Sequence, residues 1–143
     1  MNIHQSKVHN YLRMTLAYTE DGTIKFSMID YIDEIISAFD KAEPRGNGIR
    51  TSNTPEDLYK VDEDCENIIP EKAKIFHNIV AKTLYTKKWE RPDTCTAVAF
   101  LTTRVRKTNK YDWGKLINIM NYTRSMIYLP LITRTNVSVL LKW

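Results

Sequence analysis

The chain has 143 residues, 43% of them hydrophobic, which is enough for a modest core and too apolar for a wholly disordered polymer. Its 4 Gly and 5 Pro exclude collagen-like and low-complexity classes. The net charge of +4 conceals an asymmetry: residues 1–66 carry 7 Lys and Arg against 13 Asp and Glu, and residues 67–143 carry 14 against 4.

A basic half of this size is the footprint of a polyanion binder. An acidic half folded against a basic one accounts for the same numbers. From the N-terminus, Met1 to Asn10 is polar, with no apolar segment of the signal-peptide type. Residues 7–29 then alternate with a period of two: Leu12, Met14, Leu16 and Tyr18 against Tyr11, Arg13, Thr15 and Ala17. Asp21-Gly22 supplies a turn, and Ile24, Phe26 and Met28 alternate on the return, so a β-hairpin is predicted. A short helix over about 30–40 places Ile32, Ile35, Ile36 and Phe39 on one face.

Residues 41–68 break every pattern, with Pro44, Gly46, Gly48 and Pro55 as punctuation and Asp62-Glu63-Asp64 near the end. They read as a long acidic loop or flexible linker. Pro70 suits a first helical position. From there to about Lys88 an apolar face comprises Ile75, Phe76, Ile79, Val80 and Leu84. A second helix is expected over about 94–107, burying Ala97, Val98, Leu101 and Val105. A third is expected over about 113–125, with Asp112 as N-cap and Trp113, Leu116, Ile117 and Met120 inward. Tyr128–Ile132 and Val137–Leu141 read as short strands.

The predicted class is therefore α+β: a hairpin and short helix, a long acidic loop, a three-helix bundle and C-terminal strands. In residue terms the divisions are 1–40, 41–69, 70–127 and 128–143.

Nothing in the sequence has the form of a catalytic constellation. Asp33-Glu34 and Asp62-Glu63-Asp64 are sequence neighbours whose side chains diverge on a helix or lie in a loop. His4, His9 and His77 have no partners at triad or ligand spacing. Cys65 and Cys95 lack the companions a zinc site requires, and a disulfide is not expected without an export signal. There is no glycine-rich phosphate loop and no nucleophile elbow. No apolar run is long enough to span a membrane, and an intracellular location, cytoplasmic or nuclear, is expected.

One binding feature stands out on the 70–88 helix. Stepping about 100° per residue from Ile75, the apolar side chains fill about half the circumference. Lys74, Asn78, Ala81, Tyr85 and Lys88 form a second stripe, with Lys82 at its edge. Lys can contact phosphates, Asn can bond to base or sugar edges, and Ala lets a backbone approach. A solvated Lys-rich face is the plain alternative.

Four segments in order resemble one family: "HNYLRMTLAYTEDGTIKFSMIDYIDEII" (9–36), "SNTPEDLYKV" (52–61), "IFHNIVAKTLYTKKWERPDTCTAVAFLTTRV" (75–105) and "DWGKLINIMNYTRSMIYLPL" (112–131). They are similar to the YLGM hairpin, the TP segment, the LVGxLxYLxxxRPDIxxAV helix pair and the RxLRYLxGT helix of copia-type retrotransposon reverse transcriptases. The likeness covers about 9–140.

The resemblance implies a primer-grip hairpin at Leu12, Arg13 and Met14. It implies a first thumb helix whose Val80, Ala81, Lys82 and Tyr85 face a template–primer duplex. Partners would be an RNA–DNA hybrid or DNA template–primer, bound weakly, and the rest of a Pol polyprotein. The magnesium-holding polymerase carboxylates and the Ribonuclease H acids would lie outside this chain, so no cofactor and no catalysis by the chain alone are expected.

Several residues depart from the family pattern. Arg13 stands where the pattern has Gly, and a bulky residue disfavours φ > 0, so an altered grip turn is expected. Ala81 replaces another Gly and still permits close approach. Ser125 replaces the Gly of RYLxGT, so loss of a helix C-cap is expected. Lys87, Lys88, Trp89 and Glu90 replace a more apolar linker. Arg91-Pro92-Asp93 is expected as a sharp turn, with Trp89 packed on the bundle. Such departures also fit a decaying or domesticated remnant that serves as a non-catalytic interaction module.

Overall fold

The computed structural model describes residues 8–43, 58–89, 94–128 and 131–134, and only the backbone of Lys88, Trp89, Leu131, Thr133 and Arg134. Strands β1 (Val8–Tyr11), β2 (Met14–Tyr18) and β3 (Thr23–Ser27) are followed by helix α1 (Ile29–Asp40). Helices α2 (Pro70–Trp89), α3 (Cys95–Thr103) and α4 (Lys110–Ser125) come next, with a 3-10 turn at Val105–Lys107, and then β4 (Leu131–Arg134). All four strands form one antiparallel sheet in the order β1-β2-β3-β4. The fold is thus α+β.

The expected single strand through Tyr11–Tyr18 is in fact two strands. Tyr11 pairs with Met14 across a two-residue turn, and Leu12 and Arg13 have φ of 47° and 68°. Positive φ at both central residues is the type I′ hairpin signature. The turn is formed with Arg rather than Gly at position 13, at φ 68°. The next hairpin uses Gly22 at φ 80°, where Asp21 accepts hydrogen bonds from the Thr23 amide at 3.2 Å and the Thr23 hydroxyl at 2.8 Å.

The core is shared by the hairpin, α1 and the three later helices. Met14, Met28, Ile32, Ile35, Ile36 and Phe39 join Phe76, Ile79, Val80, Val98, Leu101 and Leu116 in one buried cluster. Phe39 and Phe76 flank Trp113 at centroid distances of 5.7 and 6.5 Å. The N-terminal piece and the helical bundle are therefore packed as one body rather than strung together. Burying this stripe on α1 stabilises the helix, because twelve residues alone would be marginal in water.

Asp112 is not the N-cap of α4. Asn109 is, its side chain accepting from the Asp112 amide at 2.9 Å, while Asp112 Oδ2 accepts from the Asn109 amide at 3.4 Å. This reciprocal pair satisfies two helix-end donors, and Asp112 is buried and also ion-paired with Arg104 Nε at 3.1 Å. The predicted helix over 94–107 divides into α3 and the 3-10 turn, where Thr108 Oγ1 donates to the Arg104 carbonyl. At its far end α4 stops without a left-handed residue. Met126 has φ −113° and its amide donates to the Tyr122 and Thr123 carbonyls. Of the two expected C-terminal strands, the first is displaced to Leu131–Arg134, with Tyr128 in an exposed turn. Val137–Leu141 lies outside the described residues.

Residues 44–57, half of the acidic loop, also lie outside the described residues. The part from Leu58 is tied to α4. The buried Lys115 ammonium donates to the Leu58 carbonyl at 2.9 Å and to the Lys60 carbonyl, with the Phe100 and Tyr111 rings within 5 Å. Asn109 Nδ2 donates to the Asp62 carbonyl at 2.7 Å, and the Lys110 amide to the Glu66 carbonyl. This acidic segment thus meets the basic half at the start of α4, away from the stripe on α2.

Candidate nucleic-acid interface

The stripe predicted on α2 is partly open and partly engaged. Lys74, Asn78 and Ala81 are exposed, whereas Lys82 and Tyr85 are half-buried. The Lys88 side chain lies outside the described residues, as do Arg91-Pro92-Asp93 and the Trp89 side chain. Ala81 also borders a groove of about 560 Å³ between α2 and the end of α3, which Val105 and Arg106 close on the far side.

The structure brings the two predicted sets of residues together. Tyr85 Oη donates to the Leu12 carbonyl at 2.7 Å, so the tip of the β1–β2 hairpin is fastened to α2. Leu12 is exposed and Met14 is 4% exposed. Met14 is buried and supports the turn from the core. Its neighbour Arg13 projects over the Tyr31 ring, 5.1 Å from the centroid. Tyr31 in turn meets Tyr85 edge-on at 5.8 Å, a favoured aromatic geometry.

Glu34 on α1 completes the cluster. Its Oε2 lies 2.7 Å from Arg13 Nη1 and its Oε1 lies 3.5 Å from Lys82 Nζ. Burial first, and the Glu34 charge second, push the Tyr31 phenol above its usual pKa, so that ring stays neutral at physiological pH. One carboxylate therefore spans two cations from different elements. The sequence reading missed Tyr31 and Glu34 because α1 showed only an apolar face and a polar face. Nothing in its pattern says that the polar face meets a hairpin tip.

Other basic side chains serve the fold. Lys87 is fully buried and donates to Thr123 Oγ1 at 3.0 Å, which explains how a cation is accommodated where the family pattern is apolar. Among the described residues no group of three or more His, Cys, Asp or Glu converges as a metal site. No helix among them is long and apolar enough to cross a membrane.

No family model, no curated protein and no solved structure matches the chain.

Proposed function

We propose that this chain is the template–primer-holding part of a copia-type retrotransposon reverse transcriptase, an RNA-directed DNA polymerase within a Pol polyprotein. It grips a duplex without catalysing phosphoryl transfer, since the magnesium-holding carboxylates belong to another part of that enzyme. The observation that carries this reading is the docking of the Leu12–Arg13 turn on α2 through Tyr85. The resemblance assigns a grip hairpin and a thumb helix to two segments about 70 residues apart in sequence, and these meet at one surface. Lys74, Asn78 and Ala81 stand open beside that junction, with residue types suited to phosphate, sugar and close backbone approach.

The proposed role is binding, weak and salt-sensitive in the isolated chain. Exchange of Lys74, Lys82 and Lys88 for Glu should abolish binding of an RNA–DNA hybrid at low salt. Unchanged affinity in that variant would reject the face.

A second reading is a domesticated or decaying remnant that serves as a non-catalytic interaction module. The neutralisation of Arg13 and Lys82 by Glu34 favours it. On this reading residues 41–68 mask the basic helices, and their removal should leave hybrid affinity no weaker or make it stronger.

A further inference from the structure

Arg13 and Lys82 come from a hairpin tip and a helix, yet both address the two oxygens of one carboxylate. The spacing of those oxygens is close to that of two non-bridging phosphate oxygens. Glu34 thus sits as an anionic group would sit between two fixed cations. We propose that Glu34 is a built-in competitor for phosphate, occupying an anion seat formed by Arg13 and Lys82 that a nucleic-acid backbone phosphate enters by displacing it. This inference rests on the nucleic-acid reading above and adds the residue that tunes the affinity of that site.

First, the seat is pre-arranged. Arg13 is carried by a turn locked at positive φ, its guanidinium rests on Tyr31, and the turn is fastened by Tyr85. Lys82 lies one helical turn before Tyr85, so the same fastening sets the distance between the cations. Second, the occupant is displaceable. The side chains of Arg13, Glu34 and Lys82 are 61%, 44% and 30% exposed, and ion pairs this open to water are weak. Third, the exchange favours phosphate. Arg and Lys bind phosphate through charge-assisted hydrogen bonds, and the released Glu34 carboxylate regains full hydration. The cost of displacing Glu34, and its repulsion of the incoming phosphate, then set how tightly the site holds.

The test compares the full chain with Glu34→Gln, Glu34→Ala and Asp33→Asn, using fluorescence anisotropy on a labelled RNA–DNA hybrid at low salt. Circular dichroism checks that each variant is folded. Both Glu34 variants should bind about three- to tenfold tighter, the range that two displaced surface ion pairs allow. Asp33→Asn changes net charge equally on the same helix and should shift affinity less than about twofold. The gain should vanish when Arg13→Gln and Lys82→Gln are also present, as a coupled cycle requires.

Equal shifts from Asp33→Asn and Glu34→Gln, or no shift from either Glu34 variant while the parent chain binds, would overturn the seat and leave the proposed function standing. No hybrid binding by any variant, with later elution of Glu34→Gln than Asp33→Asn from immobilised heparin, would retain the anion seat and reject the nucleic-acid reading. Absence of both effects would overturn both.

Discussion

The Tyr85 hydroxyl donates a hydrogen bond of 2.7 Å to the Leu12 carbonyl, joining a helix side chain to a hairpin tip 73 residues away in sequence. With Tyr31 against its edge, Tyr85 acts as a fastener between two elements. A ring so engaged is not free to stack on a base, so under the proposed function the duplex-facing residues of α2 are Lys74, Asn78, Ala81 and Lys82.

Tyr85→Phe should therefore cost about 1 kcal/mol of stability, the usual net value of one hydrogen bond. Tyr85→Ala should cost more, because it also removes the ring that packs edge-on against Tyr31. Urea denaturation gives both values. A Phe variant with unchanged midpoint and slope would show that the fastening contributes nothing.

Arg13 lies at φ 68°, a conformation that disfavours a side chain by about 1–2 kcal/mol. Its exposed pair with Glu34 returns about 1 kcal/mol at most, and Gly brings its own entropic cost. Arg13→Gly should thus leave stability unchanged or raise it by up to about 1 kcal/mol, while weakening hybrid binding. Opposite signs in melting and binding would mark Arg13 as kept for its charge. A clear loss of stability would mean that the turn depends on the side chain.

At the start of α4, Asn109→Ala should cost about 1 kcal/mol through loss of a cap. Asp112→Ala should cost more, about 3 kcal/mol, because it also leaves the partly buried Arg104 without its carboxylate. Thermal melts of the two variants should keep that order. A reversed order would place the stabilising effect in the Asn109 bond to the Asp62 carbonyl.

Asp21 supplies the pH prediction. The Thr19 hydroxyl, with Thr23, holds its carboxyl down to about 2. A folded-state pKa below the unfolded value means that the unfolded chain binds the proton first as pH falls. The contribution is complete above about pH 4, lost progressively toward about pH 2, and absent below. Asp21→Asn should flatten that part of the stability–pH curve and leave the curve above about pH 5 parallel to the parent. An unchanged acid limb would contradict the hydrogen bonds of this turn.

Helices α1 and α2 were legible because apolar residues recur at helical spacing on one face, and the buried Ile32, Ile35, Ile36 and Phe39 lie on the face the periodicity marks. The Leu12–Arg13 turn was not legible from pattern. Alternation with period two continues straight through it, and neither residue is the Gly or Asn that usually marks a type I′ turn. Only the resemblance placed a grip there. The cap of α4 was misplaced because the box uses Asp112 where Glu or Gln is usual, so the acid drew attention from Asn109. Angles around α2 identified an outward stripe, but helical periodicity carries no record of what another element covers. The engagement of Lys82 and Tyr85 by Glu34 and Leu12 emerges only when α1 and the hairpin are placed beside α2.

The central claim is that the face of α2 beside the hairpin tip holds a nucleic-acid backbone. The most direct test is the salt dependence of RNA–DNA hybrid affinity for the parent chain and for Lys74→Glu/Lys82→Glu/Lys88→Glu, both shown to be folded. The account predicts that log affinity of the parent falls linearly with log salt, as released counterions require. It also predicts that the variant binds far more weakly, with the slope reduced by about one for each phosphate no longer neutralised. Equal affinity and equal slope for the two proteins would contradict it.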